Sequence, residues 1–297
     1  MGSRMTVRLL SAGYDVTVWN RTSEKTRPLA EAGAAVAASP AAAAAGKDMV
    51  LCNLTDGAAL KQVVQGAGGV LSADPLPRML VDFATIAPSE SAEIAGVLES
   101  SGVAFLRAPV SGTTTVAEAG RLTLIVSGER AVFEAAAPVL AVLGQTQYYV
   151  GSGEKSRYLK LIHQMMIAAN MQVWAEGLVM GEKAGLDWQV MLDVLGNSAV
   201  ASGAVKGKVP TLAARDYENP AMSMHNIAKD LDLALEAAAG VAVELPATQK
   251  VRDLYERSLT AGREWQDYSA IVLDLEERAG LEPLEDMRKT THEEEAK

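Results

Sequence analysis

Residues 159–164 read Leu-Lys-Leu-Ile-His-Gln. In a helix, His163 and Gln164 fall three and four positions after Lys160, on its own face. A lysine among apolar neighbours loses solvation, and its pKa falls toward a range useful for proton transfer. Histidine titrates near neutral pH and can relay a proton. A solvated surface lysine beside a hydrogen-bonded histidine has the same spacing, so the spacing leaves both readings open. A second polar run, Ser111-Gly112-Thr113, follows the apolar VAFLRAPV at 103–110. A hydroxyl and a run of backbone amides in a tight turn suit an anion. The alternative is an ordinary strand-to-helix turn with Ser111 as its cap. A third run, Asn20-Arg21-Thr22, follows the alternating DVTVW at 15–19.

The elements that carry these residues change character along the chain. Up to about residue 150, apolar runs at 15–19, 48–54, 79–85 and 103–110, then RLTLIVSG and QYYVG, alternate with helical patterns. That order predicts a mostly parallel sheet covered on both faces. In such a sheet a dinucleotide binds at the carboxyl ends of the strands, and an acidic residue after the second strand selects NAD. Asn20, Arg21 and Thr22 offer no carboxylate and suit a 2′-phosphate, so NADP is expected ahead of NAD. Gly2 opens a helix where the last glycine of G-x-G-x-x-G would stand; the first strand and the two earlier glycines are expected upstream of Met1. After Gly153 the alternation ends. Leu159, Ile162, Met166, Ala169, Val173 and Leu178 recur at helical spacing, predicting a helix of about 25 residues. Further helices are expected near 187–195, 198–207, 227–239, 245–261 and 266–280. The expected architecture is an α/β dinucleotide-binding domain at 1–153, its first strand missing, joined by the long helix to an all-α domain at 154–283. Residues 284–297 read as a charged, frayed tail.

Composition bounds the function. At 297 residues the chain is long enough for two domains. A net charge of −10 and a pI near 4.9 argue against nucleic acid, whose phosphates need a basic face. The single cysteine, Cys52, sits in the apolar MVLC, fits a reducing compartment and reads as a buried small hydrophobe. No leader and no run of roughly 18 apolar residues is visible, so a soluble, cytoplasmic protein without membrane partners is expected. Three scattered histidines and one cysteine do not make a metal site.

Several motifs in order resemble the β-hydroxyacid dehydrogenases, the family of 3-hydroxyisobutyrate dehydrogenase, tartronate-semialdehyde reductase and glyoxylate/succinic-semialdehyde reductases. They are GYDVTVWNRTSEK, SPAAAAAGKDMVLCNLTD, VDFATIAPSES, APVSGTTTVAEAGRLTLIVSG, GSGEKSRYLKLIHQ and AKDLDLAL. The resemblance spans roughly 1–283. It implies a Rossmann-type domain, hydride transfer between NADP(H) and a small hydroxyacid or semialdehyde, and assembly as a homodimer or homotetramer through the helical domain. It makes Lys160 the general acid/base, and Ser111, Gly112 and Thr113 the grip on the substrate carboxylate. Met222 would line the substrate pocket. Gly2, Leu54, Thr55, Thr85 and Lys229, with Asp230 in support, would line the cofactor. This chain departs from the family where two asparagines are expected, at His163 and Gln164. It departs again at Thr113, a glycine in the family, and at Arg107, often an aspartate. Arg107 pairs with a substrate acid or with a carboxylate of the chain; the sequence does not choose. His225, one helical turn before Lys229, reads equally as a site residue or a packed one. The departures keep two alternatives in view: a relative that reduces imines or bulkier ketones, and a non-catalytic scaffold that binds NADP. Glu176 and the methionines of HQMMIAANMQ read as packing between helices.

Overall fold

Strands form where Val, Leu, Ile and Met run together between turn residues, and helices form where alanine and leucine recur at three and four. The computed structural model describes residues 1–281, so the tail at 284–297 lies outside the described residues. The chain divides into two compact units, Met1–Lys160 and Leu161 onward. In the first unit the order is α1 (Gly2–Ser11), β1 (Thr17–Val18), α2 (Arg27–Glu31), β2 (Ala35–Val36), α3 (Pro40–Ala44), β3 (Met49–Cys52), α4 (Gly57–Gln65) and β4 (Met79–Asp82). It continues with α5 (Pro88–Ser100), β5 (Ala104–Arg107), β6 (Val110–Ser111), α6 (Thr114–Glu118), β7 (Thr123–Val126), α7 (Arg130–Leu143) and β8 (Thr146–Tyr149). The helix α8 (Lys155–Lys183) starts here and runs on into the second unit.

The strands make three ladders. β1 pairs β2 in parallel. β3, β4 and β5 form a parallel sheet in that order, with Cys52, Asp82 and Arg107 in register at the carboxyl ends. β7 pairs β8 in parallel and β6 antiparallel. The parallel expectation therefore holds except at β6, two residues that follow Pro109 directly. Among the described residues no ladder joins β1 to β3. Along β4, Leu80 packs into one core with Leu60 and Ile94. Val81, pointing the other way, packs into a second core with Leu106 and Leu140. Both faces of this sheet are thus covered, as all-parallel strands require.

The second unit is helical: α9 (Trp188–Gly196), α10 (Gly203–Lys206), α11 (Val209–Ala214), α12 (Met224–Gly240), α13 (Pro246–Thr260) and α14 (Ile271–Ala279). Of the helix expected near 198–207 only α10 (Gly203–Lys206) is helical, and a separate helix, α11, begins at Val209. Pro210 sits in the first turn of α11, where its missing N–H costs nothing, and not inside a longer helix. α8 spans 29 residues and buries Ala168, Met171, Trp174 and Leu178 against a core that includes Trp188 and Tyr255. Two ion pairs are buried beside that core, Arg215–Glu276 and Lys208–Asp267, each at 2.5 Å.

Candidate active site

Of the residues expected to hold a dinucleotide, all but Lys229 lie in the first unit, after strands or at the start of α1. Gly2 is the first residue of α1, and Met1 gives that helix no side-chain cap. A Cβ added at Gly2 would stand 3.3 Å from Asn53 Cβ, so the helix start lies close against the residue that follows β3. Asn20, Arg21 and Thr22 are exposed after β1, and the Asn20 amide donates to the Thr22 carbonyl at 2.9 Å. Leu54 is half-buried. The Thr55 hydroxyl donates to Asp56 at 2.8 Å, and Asp56 caps α4 by accepting from the Ala59 N–H at 2.7 Å. Thr85 is half-buried between the buried Ala84 and Ile86, just past β4. These groups fit a dinucleotide: an uncapped helix start without a Cβ, exposed donors, and no carboxylate among residues 19–23.

The run 111–113 lies at the end of β6. Thr113, not Ser111, caps the following helix: its Oγ1 accepts from the Val116 N–H at 3.4 Å and stands 2.7 Å from the Thr115 hydroxyl. Gly112 has φ +141°, open to glycine and rarely to other residues. Ser111 is half-buried beside it. Arg107, the last residue of β5, is buried, and its guanidinium meets Glu154 at 2.5 Å and lies over the Phe105 ring at 4.5 Å. Of the two partners the sequence left open for Arg107, the chain itself supplies one.

Glu154 stands just before α8, and the first turn of that helix is fixed by further bonds. Ser156 Oγ lies 2.7 Å from Ser127 Oγ and donates to the Arg107 carbonyl at 3.2 Å. Arg157, 1% exposed, donates from Nη2 to Asp82 at 2.6 Å, from Nη1 to the Ala84 carbonyl at 2.6 Å and from Nε to Ser91 Oγ at 3.1 Å. Burial pushes the Asp82 carboxyl above the usual carboxylate range, and the Arg157 guanidinium opposes that shift. Asp82 in turn joins burial in raising the Cys52 thiol, which is therefore held protonated and unreactive. Lys160 follows one turn later and is 7% exposed.

In the second unit the continuing helix carries His163, half-buried, and Gln164, buried. The Gln164 amide donates to Asp230 Oδ2 at 2.5 Å and approaches Met222 Sδ at 3.8 Å; its Oε1 lies 3.3 Å from His163 Nδ1. Lys229 pairs with Asp230 Oδ1 at 2.9 Å. The unit thus gathers His163, Gln164, Met222, Lys229 and Asp230. His225 is exposed and lies against Trp265, with ring centroids 5.1 Å apart. Sequence reasoning missed Arg157 and Asp82. The available signal was an arginine three positions before Lys160 on the same helical face.

Among the described residues no helix is long and apolar enough to cross a membrane, and no group of three or more His, Cys, Asp or Glu side chains is placed to hold a metal ion.

Residues 1–151 match the family model of the NAD-binding domain of 6-phosphogluconate dehydrogenase. Residues 151–275 match that of the NAD-binding domain of NADP-dependent 3-hydroxyisobutyrate dehydrogenase. The chain is 33% identical to glyoxylate/succinic semialdehyde reductase 1 of Arabidopsis thaliana, over 92% of this chain and 94% of that one. It is 32% identical to 2-(hydroxymethyl)glutarate dehydrogenase of Eubacterium barkeri, over 95% and 93%. Among solved structures, Mycobacterium tuberculosis 3-hydroxyisobutyrate dehydrogenase with L-serine superposes with a TM-score of 0.83 at 27% identity, covering 93% of this chain and 95% of that one. With a dinucleotide-type first unit, a helical second unit and these relatives along nearly its whole length, the chain belongs to the β-hydroxyacid dehydrogenase family.

Proposed function

We propose that the chain is an NADPH-dependent reductase, and in reverse a dehydrogenase, of a small hydroxyacid or semialdehyde, with Lys160 as its general acid/base. The observation that carries this reading is the placement of Lys160: buried, one turn past a helix start bonded on three sides, and one turn before Gln164. A bound nicotinamide supplies or accepts the hydride. Lys160 gives its proton to the carbonyl oxygen as negative charge builds there, and takes the hydroxyl proton in the oxidative direction. His163, on the same helical face, relays that proton, and the Gln164–Asp230 bond holds the turn in place. Asn20, Arg21 and Thr22 hold a 2′-phosphate. Gly2, Leu54, Thr55 and Thr85 line the dinucleotide, and Lys229 is a further cofactor-binding residue. Arg107 is engaged by Glu154, so recognition of a substrate carboxylate falls to Ser111, Gly112 and Thr113. The relatives' names support a substrate that joins an aldehyde and a carboxylate in one small molecule.

The helical unit supports self-association as a homodimer or homotetramer. Met166, Val173 and Met180 recur every seven residues on α8 and are 58%, 64% and 73% exposed. Sustained apolar exposure of that kind marks an interaction face.

The test is NADPH oxidation with glyoxylate, succinic semialdehyde and a cyclic imine, each repeated with NADH. A charge-assisted bond to the 2′-phosphate is worth ~1.5–3 kcal/mol, which predicts a ten- to hundredfold preference for NADPH. Lys160→Ala is expected to lower kcat by ~10²–10⁴ while NADPH still binds. An unchanged kcat would remove the lysine from the mechanism, and faster turnover of the imine would favour the imine-reducing alternative.

A further inference from the structure

We propose that Arg157 is a positioning residue for Lys160. Its guanidinium ties the first turn of α8 to the segment Asp82–Thr85 and so sets the height and rotation of the lysine relative to that segment. This inference rests on the reading of Lys160 as the proton-transfer group.

The three donors of Arg157 go to three different elements: Asp82 ends β4, Ala84 lies in the loop that follows, and Ser91 lies in α5. Asp82 and Arg157 are wholly buried, so the pair is not screened by solvent. A planar fork can serve three acceptors in fixed directions, whereas a lysine ammonium is a point charge on a flexible stem. The bond to the Ala84 carbonyl is the informative one. It fixes the backbone one residue before Thr85, on the cofactor side of the site. Lys160 lies three residues after Arg157, about 4.5 Å along the helix axis and on the same face. A rotation or slide of the first turn of α8 therefore carries Lys160 with it.

The other ties at the helix start run elsewhere. Glu154 and Ser156 bond to Arg107 and Ser127, on β5 and just after β7. They hold the start of α8 to the sheet, and neither bonds to the loop carrying Thr85. A pair present only to fill the core would need one acceptor for one cation. Here Asp82 takes one guanidinium nitrogen, and the other two hold the loop carbonyl and the serine on α5.

The test uses Arg157→Lys and Asp82→Asn in the full chain. The first readout is the rate at which acetic anhydride acetylates Lys160, followed by peptide mass spectrometry against exposed Lys250. The second is kcat and KM with NADPH and succinic semialdehyde, measured below each variant's melting temperature. Misplacing a reacting group by about 1 Å costs up to ~10²-fold, so Arg157→Lys is expected to lose ten- to hundredfold in kcat, with KM for NADPH nearly unchanged. Lys160 labelling should shift relative to Lys250, and Asp82→Asn should change both readouts in the same direction by a smaller factor. Should Arg157→Lys fail to fold, Asp82→Asn decides, because it keeps the shape of the pair. A folded variant with unchanged labelling and unchanged kcat overturns the proposal. If Lys160→Ala keeps full activity, the catalytic reading of Lys160 falls instead, and the labelling experiment still decides whether Arg157 sets the lysine's surroundings.

Discussion

Gly112→Ala isolates the loop assigned to the substrate carboxylate. Gly112 holds φ +141°, and an added Cβ would stand 2.8 Å from Leu122 Cδ2 and 2.9 Å from Val116 Cγ1. Leu122 is fully buried, so it has nowhere to retreat. If the loop stays where it is, the backbone conformation costs ~1–3 kcal/mol and the overpacking a further ~1–3. Together they come to about 2–6 kcal/mol. For a unit of this size each kcal/mol lowers Tm by ~2–4 °C, so a fall between ~4 and ~24 °C is expected. The alternative is that the exposed residues 112–115 move and relieve the clash. The melt then changes little, but Ser111 and Thr113 are displaced, and KM for succinic semialdehyde rises while KM for NADPH holds. Thermal melting by circular dichroism and steady-state kinetics separate the two outcomes. A variant that melts within ~2 °C of the parent, with both KM values unchanged, would refute both the steric argument and the role given to the loop.

Two further outcomes follow from the helical unit. Burial and the neighbouring Glu276 raise the pKa of Glu182. The folded chain therefore holds a proton there that the unfolded chain releases, and this contribution to stability is complete at low pH and lost as pH rises through the raised value. Glu182→Gln should flatten Tm against pH above the ordinary glutamate range of ~4.3, and an unchanged profile counts against the coupling. Val173→Glu with Met180→Glu places charge on the exposed face of α8 and should lower the mass in light scattering to that of one chain. A mass unaffected by the pair would place the contact elsewhere.

The strands β3, β4 and β5 and the long helix were legible because their apolar runs and helical spacing are strong and local. β2 was not: Ala35 and Val36 are both exposed and stand in an alanine-rich stretch with no alternation to read. The cap at 113 was not legible either, since Ser111 and Thr113 both carry hydroxyls and only the backbone geometry selects one. The partner of Arg107 lies 47 residues away, and those of Arg157 lie 66 to 75 residues away. No periodicity carries information over such separations; a charged residue in an apolar strand or on the Lys160 face is the most the sequence offers. The residue types proposed for the candidate site come from motifs, and the bonds around them could not be read there.

Those bonds change how the departures from the family pattern are weighed. Taken from the sequence, Arg107, Thr113, His163 and Gln164 are four changes near the substrate, and together they argue for different chemistry. In the folded chain Arg107 is spent on Glu154, immediately before α8, so its charge serves the helix start. Gln164 uses the extra methylene of its side chain to reach Asp230, which also takes Lys229, so its donors serve the helix register. That leaves Thr113 and His163 as the changes that bear on substrate. Thr113 turns its hydroxyl to its own helix cap. His163 has Nδ1 facing the Gln164 oxygen; if Nδ1 carries the proton in that contact, Nε2 is the basic nitrogen of the ring, one turn from Lys160. On the roles proposed above, His163 would bear on proton delivery and Thr113 on the shape of the carboxylate grip. The pH dependence of kcat in His163→Asn, which restores the family's residue, distinguishes the two: a changed proton-transfer limb at constant KM favours His163 as a relay, and a changed KM alone returns the difference to the pocket.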